Sequence, residues 1–200
     1  MGDMGIDWAR LAALDGLITE PVGKALARVA GSVFPPDVIV EIGSYKGKST
    51  AYLAAGSRIG AGALVVAVDP WDLPGNPGGR FGFDQAETRE AFERQLEAAG
   101  VRDAVEMRQM FSIDAARRFT RPIGLLYIDG SHTYSDVRAD WLAWSRHLGP
   151  DSVVAFDDYG TPRNPGVTRL VDELIAQKNR RWFFDPAPLA IGIPLTGSAQ

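Results

Sequence analysis

Apolar positions recur at two spacings along this chain, and the switches between them predict its elements. Over the first 34 residues Leu11, Leu14 and Leu17, then Val22, Leu26 and Val29, stand three or four residues apart, the period of a helix with one buried face. Gly16 and the region of Pro21 break that pattern in two. Pro35-Pro36 ends it, because proline fixes its own backbone and restricts the residue before it. From there short β-branched runs take over: VIVEIG (38–43), ALVVAVD (63–69), the weaker AVEMRQ (104–109), IGLLYID (123–129) and SVVAFD (152–157). Helical patterns separate them, from about Gly47 to Ala55, over 84–99 with Phe92, Leu96 and Ala99 on one side, and from about Ser135 to Leu148 with Val137, Trp141, Trp144 and Leu148 as the apolar stripe. A last helix is predicted over 166–177, and WFFD and LAIGIPL close the chain as an antiparallel pair.

Strands that are apolar throughout and alternate with helices predict an α/β fold, with a mostly parallel sheet covered on both faces. The organisation expected is a helical segment over 1–34 packed on a single domain over 35–200. In such sheets ligands bind at the carboxyl ends of the strands. Acidic residues stand at or beside four of those ends: Glu41, Asp69, Asp129 and the pair Asp157-Asp158. One or two could be helix caps. Four on one edge predict a site.

Composition narrows the ligand. A formal charge of −4 without a basic cluster gives no general attraction to nucleic acid, so no nucleic-acid partner is expected. The chain has no cysteine, which excludes disulfides and thiolate metal sites. MGDMGIDWAR has neither the basic start nor the apolar stretch of a signal peptide, and no apolar run approaches the ~20 residues of a membrane span. The expectation is a cytoplasmic protein without a membrane partner.

EIGSYKGKST (41–50) puts Gly43 and Gly47 between the first strand and its helix, where glycine lets backbone approach a ligand. Its ending imitates a phosphate-binding P-loop, but that motif needs glycine where Ile42 stands. A dinucleotide fingerprint fails as well. What remains, E-x-G-x-x-x-G-x-S from Glu41 to Ser49, resembles the first motif of class I methyltransferases that use S-adenosylmethionine (SAM). The resemblance implies a Rossmann-like, mostly parallel seven-stranded sheet with helices on both faces. It also implies that Gly43, Ser44, Tyr45, Gly47 and Ser49 lie against the methionine part of SAM. Glu41 would orient the loop or meet the SAM amino group, and Asp69 would accept two hydrogen bonds from the ribose diol. Phe111 and Ser112, after the third strand, fall where that family places the adenine.

Asp129 and Asp157 are 28 residues apart, the length of a helix and a strand returning beside the first. With Asp158 they form a cluster of carboxylates that repel unless a cation intervenes, and all-oxygen ligands favour Mg²⁺, with Mn²⁺ or Ca²⁺ possible. D-G-S-H-T-Y (129–134) followed by an acidic pair is similar to the macrocin O-methyltransferase-like branch, which methylates sugars. That similarity implies Asp129, Asp157 and Asp158 as metal ligands, with Asp129 also beside the cofactor. It implies His132 as general base, a hydroxylated acceptor such as a sugar or oligosaccharide, and self-association. His147, near a helix end, is expected to be structural. Loop 70–83, with Trp71, Arg80, Phe81 and Phe83, either walls the cofactor and acceptor or anchors itself in the core. A catechol acceptor in the same fold is the nearest alternative, a nucleotide hydrolase and a non-catalytic binding module the remoter ones.

Overall fold

The computed structural model describes residues 5–76 and 84–195. Seven strands form one sheet: β1 (Val38–Ile42), β2 (Val65–Asp69), β3 (Val105–Gln109), β4 (Ile123–Ile128), β5 (Leu148–Phe156), β6 (Arg180–Phe183) and β7 (Ala190–Pro194). Their order is β3-β2-β1-β4-β5-β7-β6, parallel from β3 to β5 and antiparallel around β7. Chain direction across the sheet reverses between β1 and β4, which opens a crevice at their carboxyl ends. Side chains alternate along β1, so Ile39 joins one hydrophobic cluster and Val38, Val40 and Ile42 the other. The first cluster is closed by α1 (Trp8–Ala12), α2 (Glu20–Ala30), α3 (Lys48–Ile59) and α4 (Gln85–Ala99). The second is closed by α5 (Ser112–Arg117), α6 (Tyr134–Trp144) and α7 (Pro165–Ala176).

Helix α3 is buried continuously from Ser49 to Ser57 because it lies between the sheet and α2. A helix buried all round needs a second cover, and the N-terminal segment supplies it. The two helices touch backbone to backbone: a Cβ on Gly56 would come within 2.5 Å of Ala27 Cα. Gly56→Ala should therefore cost about 1–3 kcal/mol, read as a lower Tm, and an unchanged Tm would show that α2 shifts freely.

Three sequence expectations differ in detail. Pro21 does not break a helix; it occupies the first turn of α2, where its missing N–H costs nothing. Leu17, expected on the apolar face, lies in the turn before α2 and is 77% exposed. The helix expected to run to Leu148 ends at Trp144, and β5 begins at Leu148 rather than Ser152. A register shift absorbs the extra residues, since the Ser152 hydroxyl accepts from Gly149 N at 2.7 Å and donates to Ile123 O at 2.5 Å. The expected roles of Arg80, Phe81 and Phe83 lie outside the described residues. Among the described residues no helix is long and apolar enough to cross a membrane.

Candidate functional site

The ladder of the sheet runs one residue past the ends of its central strands. Gly43 N donates to Val68 O at 2.9 Å, Asp129 N to Ile42 O at 2.8 Å and Asp157 N to Ile128 O at 3.1 Å. These bonds bring residues distant in sequence to one edge.

On the β1 side, Gly43 and Gly47 hold φ of 85° and 86°, in the region that favours glycine. Between them the loop is tied to β2: Asp69 Oδ2 accepts from Ser44 N and Tyr45 N, both at 3.0 Å, while Oδ1 accepts from Trp71 N at 2.7 Å. A carboxylate has about four acceptor sites. Backbone amides take three of them, which leaves Asp69 one bond for a ribose hydroxyl rather than the two expected from sequence. Burial is the main influence on Asp69 and raises its pKa against the pull of those amides. Trp71 is fully buried, packs against Phe92 at 4.8 Å and donates from Nε1 to Tyr45 O at 2.9 Å. It supports the loop from behind and offers no open face to a ligand.

Glu41 is fully buried beneath the loop and is pushed up to about 7, by burial above all, against the opposing pull of the nearby Ser49, Thr50 and Ser44 hydroxyls. Thr50 donates to its Oε2, while its Oε1 and the Ser44 hydroxyl oxygen have no partner. Two orphaned buried polar atoms under a glycine loop fit a ligand with hydrogen-bonding groups there. Phe111 precedes the first turn of α5 and is half-buried, and the Ser112 hydroxyl accepts from Trp144 Nε1 at 2.9 Å.

Beyond β4 the chain turns at Gly130, and Thr133 caps α6 by accepting from Asp136 N at 3.3 Å. Between them His132 Nε2 stands 2.9 Å from Asp158 Oδ2 and 3.6 Å from Asp129 Oδ1. Ligand-capable atoms of Asp129, His132 and Asp158 all lie within 4.8 Å of one another. Asp157, expected among the ligands, adjoins this trio without sharing its cluster. Its amide still follows the sheet, whereas Asp158 turns to φ 63° and swings its carboxylate to His132. Three hydrogen bonds from the following turn hold that strained residue: Asn164 Nδ2 donates to its Oδ2 at 2.6 Å, and the Thr161 hydroxyl and Thr161 N donate to its carbonyl at 2.9 Å and 3.2 Å. Tyr127 donates to Asp129 Oδ2 at 3.2 Å.

Charge is concentrated here. Burial first, then Asp129 and Asp158, push Asp157 up to about 8, and burial raises Asp129 too. Asp129 foremost and then Asp158 push His132 up to about 10. Asp157 Oδ1 is buried without a hydrogen-bond partner. Protons hold this cluster together, and a divalent cation would displace them. The carboxylate oxygens of Asp129 and Asp158, from separate strand ends, fit such an ion. His147 is elsewhere, with Nε2 3.0 Å from Ala116 O and its ring against Phe119.

Sequence reasoning missed Asn164 and Tyr127.

Residues 40–159 match the family model described as a methyltransferase domain, and the chain belongs to that family. A curated relative, the uncharacterized protein y4gI of Sinorhizobium fredii, is 32% identical over 126 residues, 62% of this chain but 13% of the relative's length. The chain thus spans a small part of that protein. Among solved structures, the O-methyltransferase from Bacillus cereus in complex with SAH, the demethylated form of SAM, has a TM-score of 0.62 at 19% identity, covering 92% of this chain and 85% of its own. CalS11, a TDP-rhamnose 3'-O-methyltransferase, gives 0.62 at 20% identity, covering 88% and 78%. At those identities the likeness is one of fold, that of a Rossmann-like methyltransferase with a C-terminal antiparallel pair.

Proposed function

We propose that this chain transfers the methyl group of SAM to a hydroxyl oxygen of a sugar or glycoside, with a divalent cation, Mg²⁺ foremost, and with His132 as general base. The observation that carries the proposal is the meeting of Asp129, His132 and Asp158 within 4.8 Å, at the same sheet edge as the Gly43 loop. SAM fits the β1 side through the orphaned Glu41 Oε1 and Ser44 hydroxyl, which suit an amino acid head group, and through the last acceptor site of Asp69. Asp129 and Asp158, with Asp157 adjoining, would hold the cation. Bound there, it lowers the pKa of a coordinated hydroxyl.

Each residue then has a task. Asn164 keeps the Asp158 carboxylate aimed, and Tyr127 does the same for Asp129. His132 takes the hydroxyl proton at Nε2 while the oxygen attacks the methyl carbon; the new bond is O–C, the broken one S–C, and SAH leaves neutral at sulfur. An imidazole held at about 10 already carries its proton at neutral pH. His132 can therefore serve as base only while the charge of Asp129 and Asp158 is engaged by a cation, which makes base and metal one unit.

A groove of about 670 Å³ begins at Gly160–Thr161 and runs along α7 past Thr168, Arg169, Asp172 and Glu173. The proposal is checked by transfer of labelled methyl from SAM to a panel of nucleotide sugars, glycosides and catechols, with Mg²⁺ and with EDTA. Label should reach a sugar oxygen and stop with EDTA. Transfer that ignores EDTA removes the cation; transfer to catechols alone replaces the acceptor class.

A further inference from the structure

Behind the Gly43 loop one amide side chain joins three separate stretches of the chain. Gln95, half-buried on α4, donates from Nε2 to Lys46 O at 2.6 Å and to Asp15 O at 2.9 Å, while its Oε1 accepts from Asp15 N at 2.5 Å. Both Nε2 protons and the carbonyl oxygen are thus engaged. The carboxamide has one workable orientation, because the reverse would set its oxygen against two backbone carbonyls and its protons against an N–H. Asp15 enforces that orientation with both of its backbone groups. Other contacts seat the same stretch. Lys46 Nζ donates to Asp15 Oδ2 at 2.6 Å, Lys48 Nζ donates to Ala12 O at 3.1 Å, and a Cβ on Gly16 would lie 2.6 Å from Lys48 Cβ.

The loop needs such a grip. Tyr45 holds φ of 47°, a strained conformation for a residue with a side chain, and it persists only where the surroundings fix it. Asp69 takes the Tyr45 amide and Trp71 the Tyr45 carbonyl, one residue ending β2 and the other just beyond it. The next carbonyl, that of Lys46, is left to Gln95. Without Gln95 that peptide is held only from its other side, where Gly47 N donates to Ser44 O at 2.8 Å. We infer that Gln95 is a positioning residue for the cofactor loop, and that through it residues 12–16 raise the affinity for SAM. The inference rests on the reading of the Gly43 loop as a SAM site. Linkage makes the effect reciprocal: if the docked segment favours SAM, bound SAM favours the docked segment to the same degree.

Gln95→Met keeps the length and the helix-forming tendency of the side chain and removes all three hydrogen bonds. Titration calorimetry with SAH should show Kd rising about three- to tenfold. Arg102→Met is the comparison. It ends the contacts of Arg102 with Glu93 and Val105 O, away from the loop, and should lower Tm while Kd stays as it was. Hydrogen exchange supplies the reciprocal readout. SAH should slow exchange of the Asp15 amide in the wild type by a factor similar to the change in Kd, although that amide bonds to Gln95 and not to the cofactor. An unchanged Kd in Gln95→Met would overturn the inference, and so would equal weakening by the two methionine variants, the mark of a merely structural role. If Gln95→Met does not fold, the exchange measurement on the wild type decides alone: an Asp15 amide indifferent to bound SAH overturns the inference. Wild-type protein that does not bind SAH would instead overturn the SAM site itself.

Discussion

Alanine at His132 should lower kcat by about 10²–10⁴-fold, the usual worth of a general base, while the Kd for SAH stays within about twofold because no Gly43-loop contact is lost. His132 sits on a short turn backed by α7: a Cβ on Gly166 would stand 2.5 Å from His132 O, so the turn has little freedom to drift. Glutamine there keeps a polar head but cannot take a proton, and should be as inactive as alanine. If base and cation are one unit, EDTA should cost the wild type about what the alanine substitution costs, and should cost the variant little more. His147→Ala is the control. That ring packs on Phe119 and Trp144 away from the cluster, so its loss should lower Tm and spare turnover. Full activity in the His132 variant, or equal losses at the two histidines, would remove the base from the mechanism.

How much of this was readable in the chain depends on the kind of force at each residue. Strand cores such as VIVEI declared themselves because a strand buried on both faces must be apolar throughout. The acids at the strand ends were legible by their number: four carboxylates closing apolar runs on one edge are more than helix caps require. Orientation was not legible. Asp157 and Asp158 are neighbours in sequence, yet one follows the sheet and the other turns to φ 63°, a difference set by Asn164 and Thr161 arriving from a later turn. Trp71 reads as a loop aromatic, but only the fold shows Phe92 and the Tyr45 carbonyl drawing it fully inside. The family resemblance implied a ribose at Asp69; it could not tell that backbone amides would claim most of its lone pairs. Nor could it reveal that Asp129 and Asp158 hold His132 at about 10. Periodicity reports burial, whereas competition for a side chain's hydrogen bonds is decided by partners far along the chain.

Gly43→Ala should damage both halves of the site at once. With φ at 85° any side chain there is strained, by about 1–2 kcal/mol. The added Cβ would also lie 2.7 Å from Gly130 Cα and closer still to the Asp129 carbonyl, and neither can rotate away as a flexible side chain could. Overpacking of that kind costs about 1–3 kcal/mol more. Together these predict a fall in Tm on the order of 5–15 °C, at about 2–4 °C per kcal/mol for a chain this long. Relief of the clash must move either the Gly43 loop or the end of β4, which carries Asp129, so the affinities for SAH and for Mg²⁺ should fall together. Gly100 separates the two costs. It has φ of 72° but nothing within 4 Å of a built Cβ, so Gly100→Ala should pay the backbone strain alone, lose about 2–8 °C and keep its ligands. Should Gly43→Ala behave like Gly100→Ala, with SAH and Mg²⁺ bound as before, the close approach of β1 to β4 would not be what joins the two halves.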